Sequence, residues 1–134
     1  MDFKFAQATG AAFVVSFALG FLFHGVILAP EYLALPGIYR GPQFRPGPFS
    51  VLVLAMIIAA AAMVALYRHG REDKPYLGQG LRFGVLVACA GVIPCYMIGY
   101  AVMNVPLGLA VKQIVFEAIS VVAMALAIAW FHRN

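Results

Sequence analysis

Lys112, Gln113 and Glu117 interrupt the last apolar run of this 134-residue chain, Leu107–Phe131. A charged side chain at bilayer depth costs about 2.5–3.5 kcal/mol on insertion scales, and such residues usually face a bundle interior or a wet cavity. A carboxyl kept in that setting has its charged form disfavoured, so it suits taking up a proton or holding a small cation. At 100° per residue Gln113, Glu117, Ser120 and Met124 share one helix face. Lys112 lies about 140° away from Glu117, too far round for an intrahelical pair. Its expected partners are another helix, a headgroup phosphate or Glu31.

Depth gathers further residues around Glu117. At 1.5 Å per residue Glu117 is about 15 Å into the helix, near the middle of a core about 30 Å thick. Lys112 is about 7–8 Å in and can snorkel outward. His24, Tyr96, Tyr100 and Asn104 fall in the same half. The seven residues His24, Tyr96, Tyr100, Asn104, Lys112, Gln113 and Glu117 are therefore expected around one outward-facing polar cavity, with His24 and Tyr96 bonded to Glu117. The same set also suits a buried network that only fixes helix packing.

Four apolar stretches must position these residues: 6–29, 49–67, 81–103 and 107–131. Each has about the 20 residues a spanning helix needs. The chain is 64% hydrophobic and 10% charged, against about 45–50% and 25% in soluble domains. The expected fold is all-α: a four-transmembrane-helix bundle forming one integral membrane domain, with lipid as its first partner. The first stretch exceeds a signal-peptide core of about 7–15 residues and reads as a retained helix. Ala8, Ala12, Ser16, Gly20 and His24 recur at every fourth position, and Gly91, Cys95 and Gly99 repeat the pattern. Small residues so spaced let helices approach closely, within the bundle, in a homo-oligomer or in a larger membrane complex. The alanine-rich second helix is expected to pack against several neighbours. Pro94 is expected to kink the third helix.

The connections differ in character. Segment 30–48 holds five prolines and three glycines, which argues against regular helix. Tyr32, Tyr39 and Phe44 suit headgroup level, so it is expected to lie on the membrane surface or fold over the helix ends as a lid. Arg40, Arg45 and Glu31 are its charged contribution to headgroup contact. Segment 68–80 mixes charges and reads as a solvated turn. With four spans, Lys4, Arg68, Arg71, Lys74, Arg82 and Arg133 share one side, and Arg40, Arg45 and Lys112 the other. Six against three predicts both termini in the cytoplasm, in a bacterial inner membrane.

Several chemistries find no residues. The net charge of +4 is scattered at the ends of apolar runs, which is no nucleic-acid patch. No Gly-rich phosphate loop, nucleophile elbow or carboxylate pair is present, so no catalytic residue is expected. Arg40, Arg45 and Lys112 could hold a lipid headgroup, but nothing beside them could cleave it. No cofactor or metal is expected. His69 and His132 lie at the opposite face from His24, so haem would need a dimer. Cys89 and Cys95 rise about 9 Å apart on a helix, too far for a disulfide.

The motifs FxxGFLFHGVxLxPxY (17–32), GLRFG (80–84) and VPxxLxxKQIxFE (105–117) resemble those of uncharacterised small four-helix bacterial membrane proteins. The resemblance covers most of the chain. It implies the four-span fold and no activity. An embedded glutamate in the fourth helix, not the first, separates the chain from small multidrug transporters, and the pattern expected of fluoride channels is absent. The functional expectation is a small membrane protein that binds or passes a small ligand or ion, with proton coupling through Glu117. The alternative is an accessory or assembly subunit of a larger membrane complex.

Overall fold

Helix α6 (Leu107–Phe131) is the axis on which the other helices pack. Lipid offers the backbone no hydrogen-bond partners, so each apolar stretch closes its own bonds as helix. The computed structural model describes residues 2–40 and 46–133. It is all-α, with four helices long and apolar enough to cross a membrane: Phe3–Ile27, Pro46–Gly70, Tyr76–Val102 and Leu107–Phe131. In α6, 33% of the apolar stretch is buried, against 17% or less in the other three. Helix α1 (Phe3–Gly20) and helix α4 (Tyr76–Val87) flank α6, and α3 (Pro46–Gly70) packs mainly on α1. Only Ala60, Met63, Val64 and Tyr67 of α3 are buried. The expectation that many neighbours surround this helix is therefore corrected: its first half exposes Val51, Leu52, Leu54 and Ile58.

Two of the spans are locally rewound. The first passes from α1 into a π-helical stretch, Phe21–Ile27. The third passes through Ala88–Val92, also π-helical, into α5 (Ile93–Val102). Turns closed by i→i+5 bonds hold an extra residue. In the third span this wider turn lies directly before Pro94, whose ring would otherwise meet the carbonyl four residues back. In the first span it re-aims His24 relative to the row Ala8, Ala12, Ser16, Gly20.

Segment 30–48 is more helical than its prolines suggested. Helix α2 (Ala29–Leu33) carries Pro30 in its first turn, and α3 starts at Pro46. The first N–H groups of a helix lack partners anyway, so proline costs little there. Turn bonds from Ile38 and Tyr39 to the Leu35 carbonyl, both 3.0 Å, carry the chain on to Arg40. Phe44 and Arg45 lie outside the described residues. The third span begins at Tyr76, five residues before the expected start. Gln79 makes this possible: its side chain accepts from Glu72 N–H at 2.8 Å and donates to the carbonyls of Glu72 and Lys74 at 2.8 and 2.7 Å.

Small residues do form a seam, but not the one expected in the third helix. Gly80, Gly84 and Ala88 are buried. A Cβ on Gly80 would lie 2.8 Å from Ala129 Cβ, and one on Gly84 2.8 Å from Val122 Cα. Around Gly91 there is open space. The termini and the turn between α3 and α4 share one end of the bundle. There Arg68 donates to both carboxylate oxygens of Asp2, at 2.9 and 2.6 Å, and to His132 Nε2 at 2.9 Å. One guanidinium thus ties the start of α1, the end of α3 and the end of α6. Asp2 also caps α1 by accepting from Phe5 N–H at 2.8 Å. These donors hold its carboxyl well below the usual carboxylate range.

Candidate functional site

At the opposite end, His24 stands between two elements distant in sequence. Its Nε2 lies 2.5 Å from Glu117 Oε1 and its Nδ1 2.6 Å from the Tyr32 hydroxyl. The rewound turn supplies His24, α2 supplies Tyr32, and Tyr39 comes from the turn after it. Gln113 sits one turn before Glu117 on α6 and is buried. Its amide donates to Tyr32 Oη at 3.3 Å and to Tyr39 Oη at 3.1 Å. Below the pair, the rings of Phe23 and Phe116 stack at 4.6 Å.

The donors and acceptors order themselves. The Nε2 group of Gln113 can only donate, so Tyr32 Oη accepts from it. The Tyr32 O–H is then free to donate to His24 Nδ1, which leaves the imidazole proton on Nε2, facing Glu117. Proton donation therefore runs Gln113 to Tyr32 to His24 to Glu117. Tyr32 keeps its proton: burial raises its pKa to about 12, against the lowering effect of the Gln113 hydrogen bond.

An apolar roof covers the network. Leu28, Val105, Leu109 and Ala110 form a second buried cluster, joined by Tyr32, Leu35, Ile38, Tyr39 and Phe116. The segment after the first span thus folds down onto the start of α6. At the rim Lys112 Nζ pairs with Glu31 Oε1 at 2.5 Å, one of the three partners expected for it. That pair fastens α2 to α6 a second time.

The structure does not draw all seven expected residues together. His24, Gln113 and Glu117 form the network, and Lys112 stands at its rim. Tyr96 is half-buried and within electrostatic reach of Glu117, Tyr32 and Tyr39, but it makes no hydrogen bond to a described residue. Tyr100 and Asn104 are exposed and stand outside the network. Arg40 is exposed at the end of the covering segment, and Arg45 lies outside the described residues. Instead of an open cavity, the polar groups bond to one another. Two cavities of about 240 and 260 Å³ lie at the other end, lined by Tyr67, Glu72, Lys74 and Gln79 among others.

Two tyrosines complete the site without having been singled out as polar members. Tyr32 and Tyr39 are seven residues apart, about two helical turns, around Leu35 and Pro36. That spacing can put two hydroxyls on one side of a helical segment, a signal the proline count obscured. Among the described residues no three His, Cys, Asp or Glu side chains come together as a metal site. No protein-family model, curated protein or solved structure matches the chain. The four-span architecture therefore rests on the chain's own helices.

Proposed function

We propose that this chain is a multi-pass protein of a bacterial inner membrane, with both termini cytoplasmic, that takes up a small ion or ligand at a site centred on Glu117. The observation that supports this is the His24–Glu117 contact, an acid and a base 2.5 Å apart, each a quarter exposed, beneath residues 29–40. A network built only for packing needs no ionisable pair there, since amides or hydroxyls would satisfy the same geometry. The basic residues at the end bearing the termini support the orientation. Glu117 is the ionisable centre, His24 its partner, and Gln113 positions Tyr32 and Tyr39. The segment 29–40 is the lid.

The test is proton and cation uptake by the purified protein in lipid nanodiscs, wild type against Glu117→Gln. The expected result is one titrating group, or one cation-binding event, absent from the variant while its thermal unfolding is retained. Identical uptake curves would overturn the proposal.

The runner-up is an accessory subunit of a larger membrane complex. In its favour, the row Gly91, Cys95, Gly99 is open among the described residues: a Cβ added at Gly91 would meet nothing within 4 Å, Cys95 is exposed, and a Cβ at Gly99 would meet only the end of the Met103 side chain. Stoichiometric co-purification of a second protein in mild detergent, lost on Gly91→Leu, would favour that reading.

A further inference from the structure

The site between His24 and Glu117 has polar neighbours on one side only. Towards the lid run Tyr32, Gln113 and Tyr39, then the Lys112–Glu31 pair. Towards the end bearing the termini, the buried residues of α6 are Ser120, Val121, Met124, Ala125, Ile128 and Ala129. The Ser120 hydroxyl is turned back to the Phe116 carbonyl at 3.1 Å. The facing residues are Ala8 and Ala12 of α1, Ala60, Met63 and Val64 of α3, and Gly84 and Ala88 of the third span; Tyr67 of α3 joins them only at the far end, against His132, and the buried Thr9 hydroxyl of α1 has no hydrogen-bond partner among the described residues. Fifteen helical steps, about 22 Å of rise, separate Glu117 from His132 at the end of α6. Among the described residues no titratable side chain on these buried faces bridges that distance.

Among the described residues the titratable and charged groups that face the pair are few. From α2 and its following turn come Tyr32, Tyr39 and Glu31. From α6 come Lys112 and the uncharged Gln113, and from α5 comes Tyr96. No titratable side chain of α3 joins the network: its Tyr67, Arg68 and His69 all lie at the far end. Both ring nitrogens of His24, the Tyr32 hydroxyl and the Gln113 amide nitrogen are already paired within the network. A ligand larger than a proton would have to displace these bonds, whereas a proton can move along them.

Resting on the reading of Glu117 as the ionisable centre, we infer that the species taken up is the proton, that it reaches His24 only from the lid side through the Tyr32 hydroxyl, and that its uptake reverses the bond holding the lid. The step balances. A proton from water at the lid side binds Tyr32 Oη, and the hydroxyl's own proton passes to His24 Nδ1. The delivered proton remains as the new O–H. Before the step, Tyr32 O–H donates to Nδ1 and one proton lies between Nε2 and Glu117. After it, Nδ1–H donates to Tyr32 Oη, which still accepts from Gln113. The O–H must then turn away from His24 towards Tyr39 or water. The lid segment has exchanged a donated bond for an accepted one, and its position depends on the protonation of a pair on α1 and α6.

The experiment uses the full chain with Cys89→Ser and Cys95→Ser, both exposed positions, and an environment-sensitive fluorophore at Ala34→Cys, exposed at the end of α2. In nanodiscs, label signal and proton uptake are titrated together. The expected result is a one-proton transition shared by both, with Glu117→Gln removing both and Tyr32→Phe removing the label's response. In vesicles of phosphatidylcholine and phosphatidylglycerol, with protein orientation determined by protease access, a pH step is then applied to each side in turn. Only the step on the lid side should move the label. This arm needs no variant within the network. If Glu117-dependent uptake is present but the label stays silent, or responds equally from both sides, the inference falls and the Glu117 reading stands. If wild type and Glu117→Gln take up protons alike, both fall.

Discussion

His24 and Glu117 are 93 residues apart in the chain and 2.5 Å apart through Nε2 and Oε1. The contact closes the bundle: it joins the end of the first span to the middle of the last. It also decides what a substitution at Glu117 does. Glu117→Gln keeps an amide oxygen that can accept from Nε2–H, whereas Glu117→Leu leaves that donor unpaired. An unsatisfied buried donor costs about 1–3 kcal/mol. In detergent, thermal unfolding should be nearly unchanged for the glutamine variant and clearly earlier for the leucine variant. Equal shifts for the two would show that the pair holds nothing.

The covering segment should open in base. Burial pushes the Tyr32 hydroxyl in the folded chain up to about 12, above its ordinary 10.0. A raised folded value means the contribution is intact below pH 10 and is lost as pH rises from 10 towards 12. Backbone amides of residues 29–40 exchange too fast to follow at such pH, so limited proteolysis with an alkali-stable protease is the measurement. Cleavage in this segment should rise over that window in wild type. In Tyr32→Phe the rise should disappear. A rise of the same size there would place the sensitive group elsewhere.

How far the sequence foretold these contacts depended on what carried the signal. The four spans were legible because bilayer length and unbroken apolarity specify them without reference to partners. Glu117, Gln113 and His24 were legible because a polar residue in an apolar run has few reasons to be there, whereas helix angle only turned Lys112 away from Glu117 and left Glu31 as one of three partners. Tyr32 and Tyr39 were not, because tyrosine near a membrane surface ordinarily means an interfacial anchor. Nor was the clamp of Asp2, Arg68 and His132, whose members come from three helix ends and look individually like a cap, a basic flank and a terminal histidine. Nor does sequence separate Gly80 and Gly84 from Gly91 and Gly99, because the spacing is the same in both rows. Only the neighbour across the gap tells a seam from an open face.

The rim pair is a fastening rather than a large source of stability. Lys112 and Glu31 are 53% and 34% exposed, and exposed ion pairs contribute about 0–1 kcal/mol. Lys112→Glu alone should loosen α2 from α6 by placing two carboxylates together. The double variant Lys112→Glu, Glu31→Lys should restore wild-type protease resistance of segment 29–40. Failure of the double variant to recover would mean that Lys112 acts through a headgroup or another group instead.

Acid should release the opposite end first. Asp2 has its carboxyl held below the usual range by the Arg68 guanidinium and the Phe5 N–H. For a depressed carboxylate the contribution is present above the unfolded value, about 3.9, and is lost as pH falls through the lower folded one. Asp2→Asn should therefore be less stable than wild type at neutral pH, and the difference should shrink below about pH 4. Thermal unfolding of both proteins across that range is the check. A difference that persists undiminished into strong acid would show that the Asp2 charge is not what Arg68 recognises.

The two glycine rows separate packing from mere spacing. At Gly84 a Cβ would meet Val122 Cα at 2.8 Å and Ala125 Cβ at 3.0 Å, so α4 and α6 would have to part. Backbone cannot step aside as a flexible side chain can, and overpacking of this kind costs about 1–3 kcal/mol. At Gly91 a Cβ would meet nothing within 4 Å. Replacing a helical glycine by alanine there removes backbone freedom from the unfolded chain and gains up to about 1 kcal/mol. Gly84→Ala should therefore unfold earlier than wild type, and Gly91→Ala at the same temperature or later. If Gly91→Ala were instead the damaging change in native membranes but not in detergent, the open face would be occupied there by another helix. The accessory reading would then gain the contact that this chain alone does not supply.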